Sequence, residues 1–217
     1  ERLIETDTEF LNLEKKIRCG KHTIGEYDNK IPSNLTVEEI LIRSGNIGSV
    51  RIGQKLGIEK FKSFLENIGV LGNIEFDIEE VAPPKKFVWG KCKLATASFG
   101  HGISTTALQV AKGYAIIANG GFEITPTLTK KNFKIKSNKK ILNENVSKKI
   151  NPILRKIVST EIGTAGFANI PGYEIGGKTG TAEKTTVGGY SKAKVNTFTA
   201  IFPTSKPKYV LLVLLDE

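Results

Sequence analysis

Gly176-Gly177-Lys178-Thr179-Gly180-Thr181-Ala182-Glu183-Lys184 is the stretch whose reading decides the fold. Within four positions it sets a cation, two hydroxyls and a residue without a side chain, behind glycines that let another molecule come close to the backbone. That combination suits an anion. Two local structures can present it, a loop and a strand, and they differ in what must flank them. Taken with Gly172, the run Gly172-Tyr173-Glu174-Ile175-Gly176-Gly177-Lys178-Thr179 fits the phosphate-loop pattern G-x-x-x-x-G-K-[ST], which needs a strand before it and a helix after it.

The flanks favour the strand. Gly180, Thr181, Thr185, Thr186, Val187, Gly188 and Gly189 are poor helix formers where a phosphate loop starts its helix. Residues 166–171 contain no four-residue apolar run to feed such a loop. One feature keeps nucleotide binding as an alternative: Val210-Leu211-Leu212-Val213-Leu214-Leu215 runs into Asp216, as an apolar strand delivering a magnesium-binding carboxylate would.

Outward from the motif, Tyr173 to Glu183 reads as a strand, Val195 to Phe202 as a second and Tyr209 to Asp216 as a third, with a turn at Thr204-Ser205-Lys206-Pro207-Lys208. Three strands in succession behind a run of helices give a mixed α+β class with an antiparallel sheet. The helices begin at Thr36-Val37-Glu38-Glu39, a capping box in which hydroxyl and carboxylate satisfy each other's backbone donors. This helix runs to about Arg43. A second carries Ile47, Val50 and Leu56 and closes at Gly57; a third starts near Glu59 and stops at Gly69. Residues 70 to 98 read as an irregular connection containing Pro83-Pro84, and Thr106-x-x-Gln109 opens a core helix through Ala118 that ends at Asn119-Gly120-Gly121. Phe122 to Thr129 reads as a strand and Lys21 to Tyr27 as strand and turn. A further helix begins near Asn151 with Pro152 in its first position. The chain is one unit, residues 1–217, with a helical lobe at about 34–120 and a sheet portion at about 173–217.

With 217 residues, 39% of them apolar, the chain can bury a real core. No window is long and apolar enough to span a bilayer and no signal peptide is visible, so the segment is expected to be soluble. It begins at Glu1 and has no methionine, which suggests a fragment of something longer. The net charge of +10 gathers partly in lysines 130–149, but only Phe133 is interleaved there, too little for a base-stacking surface; a solvated face is expected and nucleic acid is not. Cys19 and Cys92 are too few for a disulfide scaffold and are silent on compartment, and with His22 and His101 they lack the close second pair of a structural zinc site. No metal or cofactor is expected. His101, between two glycines, reads as a loop-shaping residue rather than a general base.

Ser44-Gly45-Asn46 lies at the joint between the first two helices, where both side chains can point into one cleft. Serine and asparagine there are also ordinary helix caps. In order and spacing, Ser44-Gly45-Asn46-Ile47-Gly48, Ser98-Phe99-Gly100-His101-Gly102-Ile103-Ser104 and Lys178-Thr179-Gly180-Thr181-Ala182-Glu183-Lys184 resemble the motifs of the transpeptidase domain of class B penicillin-binding proteins. The third corresponds to the K-T-G motif of the penicillin-recognising serine enzymes. The resemblance covers about Arg18 to Glu217 and is closest to the division-specific penicillin-binding protein 3 type of alphaproteobacterial kind. It favours the site reading of Ser44 and Asn46 over the capping one.

The resemblance implies the penicillin-binding-protein and serine β-lactamase-like fold, and acyl transfer on the D-alanyl-D-alanine end of a peptidoglycan stem peptide. Lys178 would place its charge beside Ser44, Ser44 would relay a proton to the leaving amine, and Asn46 would orient the substrate amide. Thr179 and Thr181 would take the substrate carboxylate, with the Thr181 amide as an oxyanion donor and Gly180 small because the peptide lies along that strand. It further implies β-lactam binding, division-complex partners and a periplasmic position at the bacterial inner membrane. The chain departs from the family in one respect: no Ser-x-x-Lys precedes Ser44. That motif carries the nucleophile, so this polypeptide alone is expected neither to acylate nor to transpeptidate. Sheet strands before that motif and a helix after the last strand are also missing, which predicts self-association through an uncovered apolar face. A catalytically silent scaffold module is the other reading within the same fold.

Overall fold

The computed structural model describes residues 4–78, 88–130, 139–186 and 189–217. Pro83-Pro84 and most of the lysine-rich segment, residues 131–138 with Phe133, lie outside the described residues. Four short strands come first: β1 (Glu9–Phe10), β2 (Lys16–Cys19), β3 (His22–Gly25) and β4 (Leu35–Thr36). Six helices follow: α1 (Val37–Ile42), α2 (Asn46–Leu56), α3 (Ile58–Asn67), α4 (Lys91–Ser98), α5 (Ala107–Ala118) and α6 (Glu144–Ser159). The chain then closes with β5 (Gly176–Thr186), β6 (Gly189–Phe202) and β7 (Tyr209–Asp216). All pairing is antiparallel, β1 with β4, β2 with β3, and the large sheet in the order β5-β6-β7.

The motif stretch is strand throughout, and among the described residues no helix follows Lys178, so a phosphate loop is ruled out. Asp216 likewise serves the strand, its carboxylate pairing with Lys184 across the sheet. Lys178 stands opposite Thr199 and Gly180 opposite Thr197. The two leading glycines are taken up by the protein itself. A Cβ on Gly177 would lie 2.6 Å from the Thr199 carbonyl oxygen and 2.7 Å from the Phe198 ring, and one on Gly176 would lie 2.8 Å from the Arg155 amide nitrogen of α6. They are small because helix and strands close on them, not to admit a ligand.

The helix α6 is longer than expected. It starts at Glu144, where the Asn143 side chain caps the Asn145 amide at 3.0 Å, and Pro152 sits inside it. The apolar face formed by Ile153, Leu154, Ile157 and Val158 is buried against Ile42, Ala118 and Ile201, and that burial outweighs the hydrogen bond lost at proline. One turn apart, Ser147 and Asn151 donate to the Ile117 and Ala118 carbonyls, satisfying orphan acceptors at the end of α5. The capping boxes of α1 and α5 form as the sequence predicts.

Two other stretches differ from expectation. The segment read as irregular contains α4, whose Leu94, Ala95 and Ala97 are buried, and α4 crosses α2 so closely that a Cβ on Gly53 would meet the Ser98 hydroxyl oxygen at 1.9 Å. Phe122 to Thr129 is not a strand; only Phe122 bridges to Lys140. The two cysteines are joined, Cys19 of β2 to Cys92 of α4, with Cα atoms 5.4 Å apart and a sequence separation of 73. Spatial adjacency of a hairpin and a helix that far apart is invisible to residue spacing.

Candidate active site

The residues singled out in the sequence converge where the α1–α2 corner faces β5. Lys178 Nζ donates to Ser44 Oγ at 2.6 Å and to the Thr179 carbonyl at 3.0 Å. Two motifs 134 residues apart thus meet in one hydrogen bond. An ammonium has donors only, so Ser44 must accept from it, which leaves the serine's own proton free to be donated elsewhere. Desolvation lowers the Lys178 pKa from the ordinary 10.5 to about 8. The lysine is therefore a cation at neutral pH but holds its proton less firmly than a surface lysine.

The geometry of the corner is unusual. Ser44 has φ of +57°, the left-handed region. The Ser44 amide reaches the Leu41 carbonyl at 3.3 Å and the Gly45 amide reaches the Ile40 carbonyl at 2.9 Å, the paired bonds that end a helix at a left-handed residue. Glycine is the common occupant of that position. A serine here accepts strain in return for a hydroxyl aimed at β5, and below it Ile40, Ile47 and Val50 are at most 1% exposed, so the corner stands on rigid core.

Ser44 ends α1 through its backbone, but neither its side chain nor that of Asn46 caps the start of α2, so the side-chain capping alternative fails. The N-cap of α2 is Gly45, which has no side chain to offer. The caps come instead from Glu26, just beyond β3: Oε2 accepts from the Asn46 amide at 2.7 Å and Oε1 from the Ile47 amide at 3.0 Å. Asn46 Nδ2 donates to the Gly25 carbonyl at 2.9 Å. Glu26 was not legible in the sequence because its partners lie 20 and 21 residues away, across a turn.

On the strand side, the Thr179 hydroxyl lies 2.8 Å from that of Thr164, and the Thr181 hydroxyl donates to Asn196 Oδ1 at 3.0 Å. Thr164 and Asn196 were both missed. Asn196 could have been found from the hairpin register, which pairs it with Thr181, but Thr164 gives no local signal. Gly180 has an internal reason to be small, since a Cβ there would meet Thr197 Oγ1 at 2.5 Å. Strand β5 is the sheet's outer strand on this side, and alongside the corner runs a groove of about 440 Å³ lined by Tyr27, Arg43 and Glu161 to Thr164. The His101 ring lies 5.4 Å from that of Phe99.

A half-buried lysine hydrogen-bonded to a serine on a helical corner, beside an outer strand with two hydroxyls, can hold an anionic group and pass one proton. The whole chain, residues 1–217, matches the penicillin binding protein transpeptidase domain, and the protein belongs to that family. It is 33% identical to a peptidoglycan D,D-transpeptidase FtsI homolog of Mesostigma viride, over 99% of this chain and 39% of that protein. It is 30% identical to a probable peptidoglycan D,D-transpeptidase FtsI of Caulobacter vibrioides, over 99% of this chain and 38% of that one. Its fold superimposes on the transpeptidase domain of Burkholderia pseudomallei penicillin-binding protein 3 with a TM-score of 0.90 and 26% identity, over 99% of this chain and 65% of that chain. The chain thus spans less than half the length of these two relatives.

Proposed function

We propose that the chain supplies two walls of the active site of a peptidoglycan D,D-transpeptidase, an enzyme that cross-links stem peptides during septal wall synthesis and is acylated by β-lactams. The observation that carries this is the 2.6 Å contact from Lys178 Nζ to Ser44 Oγ, with Thr179 and Thr181 along the strand beside it. A serine nucleophile, contributed from outside this sequence stretch, attacks the carbonyl of the penultimate D-alanine. The carbon–nitrogen bond to the terminal D-alanine breaks, the acyl group stays on the nucleophile, and the amine leaves with a proton. Ser44, whose lone pair is engaged by Lys178, relays that proton: it gives its own hydroxyl proton to the leaving amine and is resupplied from the Lys178 ammonium, which in turn recovers the proton shed by the nucleophile's hydroxyl. A neighbouring stem's amine then takes the acyl group and regenerates the serine.

Thr179 and Thr181 hold the terminal carboxylate, exchanging their bonds to Thr164 and Asn196 for bonds to the ligand. Asn46 orients the peptide amide, and the Thr181 amide contributes to the oxyanion hole. The peptide lies along the open edge of β5 as an added strand. A periplasmic setting at the inner membrane fits the Cys19–Cys92 disulfide, since such bonds persist in oxidising compartments. Among the described residues no helix is long and apolar enough to cross a membrane. Partners in a division complex are part of the same proposal.

The test uses a longer polypeptide that includes the upstream region. Fluorescent penicillin should label it covalently, and Lys178→Ala should slow labelling by about a hundredfold or more; labelling that proceeds unchanged rejects the site, and no labelling of the parent leaves the scaffold reading. The 217-residue chain itself should self-associate through β7, whose Leu211, Val213, Leu214 and Leu215 are 42 to 64% exposed. Sedimentation showing a monomer at high concentration removes that part.

A further inference from the structure

The corner that carries Ser44 and Asn46 has no cap of its own. Gly45 offers no side-chain acceptor, yet α2 begins here with its first amides pointing toward the site's flank. Both of these amides end on one carboxylate, Glu26 Oε2 to Asn46 N at 2.7 Å and Glu26 Oε1 to Ile47 N at 3.0 Å. The preceding residue adds a third bond, from Asn46 Nδ2 to the Gly25 carbonyl at 2.9 Å. A single dipeptide, Gly25-Glu26, therefore fixes the backbone and side chain of Asn46 together.

We propose that Glu26 is a positioning residue for the transpeptidase site: its bidentate grip on α2 holds the Ser44–Asn46 corner at the distance from which Lys178 can reach Ser44. The grip is stiff because the strand that delivers it is anchored. Glu26 follows β3, β3 pairs with β2 in a four-residue register, and β2 is tied through Cys19 to Cys92 of α4, which packs on α2. The hairpin is thus held at two points, covalently to α4 and electrostatically to α2. Negative charge at a helix N-terminus adds a favourable interaction with the helix dipole.

Ser44 needs such support more than an ordinary corner residue does. Its left-handed conformation is costly, and the flanking Gly45 can relax into many others. The bonds from Ser44 and Gly45 back to α1 fix the corner from one side only. Without an acceptor on the Asn46 and Ile47 amides, the corner can unwind by a residue, and the Lys178 contact is the first to go. The consequence for catalysis rests on the role proposed for Ser44, but the geometric claim does not.

The experiment follows the Lys178 side-chain titration by nuclear magnetic resonance in the 217-residue chain, identifying its signal as the one lost in Lys178→Met. The expected midpoint in the parent is near 8. Removing the acceptor directly, in Ser44→Ala, should lower it by about one pH unit, because an ammonium that loses a hydrogen-bond acceptor gives up its proton more readily. Glu26→Ala, which lets the corner part from Lys178 and admits water around it, should instead raise the midpoint toward the ordinary 10.5. Glu26→Gln, isosteric but with one acceptor in place of two, should fall between Glu26→Ala and the parent. A mere structural cap would lower the melting temperature and leave the midpoint alone. That outcome, or a midpoint that falls in the Glu26 variants, overturns the proposal. Should Glu26→Ala fail to fold, Glu26→Gln decides by the same signs. Failure of penicillin labelling in the longer protein would instead overturn the catalytic reading while leaving this measurement to stand.

Discussion

Lys178 and Ser44 face each other across 2.6 Å, yet they are held there by opposite means. Lys178 sits mid-strand in a ladder running without interruption from Gly176 to Glu183, so its direction is fixed by the pleat and by the register with Thr199. Ser44 sits where regular structure stops, in a left-handed conformation, with its helix start secured by a carboxylate from another part of the chain. The strand wall is rigid because of what is local to it. The corner is rigid because of remote anchors, and it is the wall that can be loosened one contact at a time.

The largest effect that separates the two walls is expected from reduction of the Cys19–Cys92 bond. A closed loop of this length stabilises the fold by about 4 kcal/mol in the chain-entropy view. Thermal unfolding with and without reductant should show a drop of that order, and hydrogen exchange should quicken in α2 and the β2–β3 hairpin before it does in β5 and β6. Equal acceleration in both regions would erase the distinction drawn above.

A smaller effect belongs to the strand wall. The folded-state pKa of Lys178 lies below its ordinary value, so between about 8 and 10.5 the unfolded chain holds a proton that the folded chain has released. Stability must therefore rise with pH across that window, and the desolvation cost is fully present below it. The rise attributable to Lys178 should be about 2 kcal/mol, allowing for partial solvent screening, and should vanish in Lys178→Met. Denaturant melts of both proteins at pH 7 and pH 10 measure the difference; parallel curves would show that the lysine is not desolvated.

The smallest effect isolates the corner. Ser44→Gly should raise stability by about 1 kcal/mol, because glycine adopts the left-handed conformation without strain. In the longer protein the same change should cost penicillin labelling, since the hydroxyl is gone. A substitution that stabilises the fold and disables the site is the signature of strain kept for function, whereas a destabilised Ser44→Gly would mean that the hydroxyl chiefly supports packing.

Much of the site was legible in the sequence because its chemistry is concentrated in short stretches. Lys178, Thr179, Gly180 and Thr181 share one strand, and Ser44 and Asn46 share one corner. The three final strands and the first three helices follow from alternation, capping boxes and glycine stops, which are local signals. Where local signals compete with burial, the sequence misleads. Pro152 looks like a helix start, but α6 runs through it because its apolar face has a sheet to cover, and Phe122 to Thr129 has strand composition but, among the described residues, no partner strand.

By itself, then, the sequence determined the class of the fold, the phosphate-loop alternative's weakness and the short stretches that carry the candidate site residues, since each depends on residues within a few positions of one another. Only the tertiary structure decided which distant residues support them: Glu26 beneath Asn46, Thr164 beside Thr179, Asn196 beside Thr181, and Cys19 joined to Cys92. These pairings are set by how helices and strands close on a common core. Residues far apart along the chain become neighbours only when buried apolar surface brings their elements together.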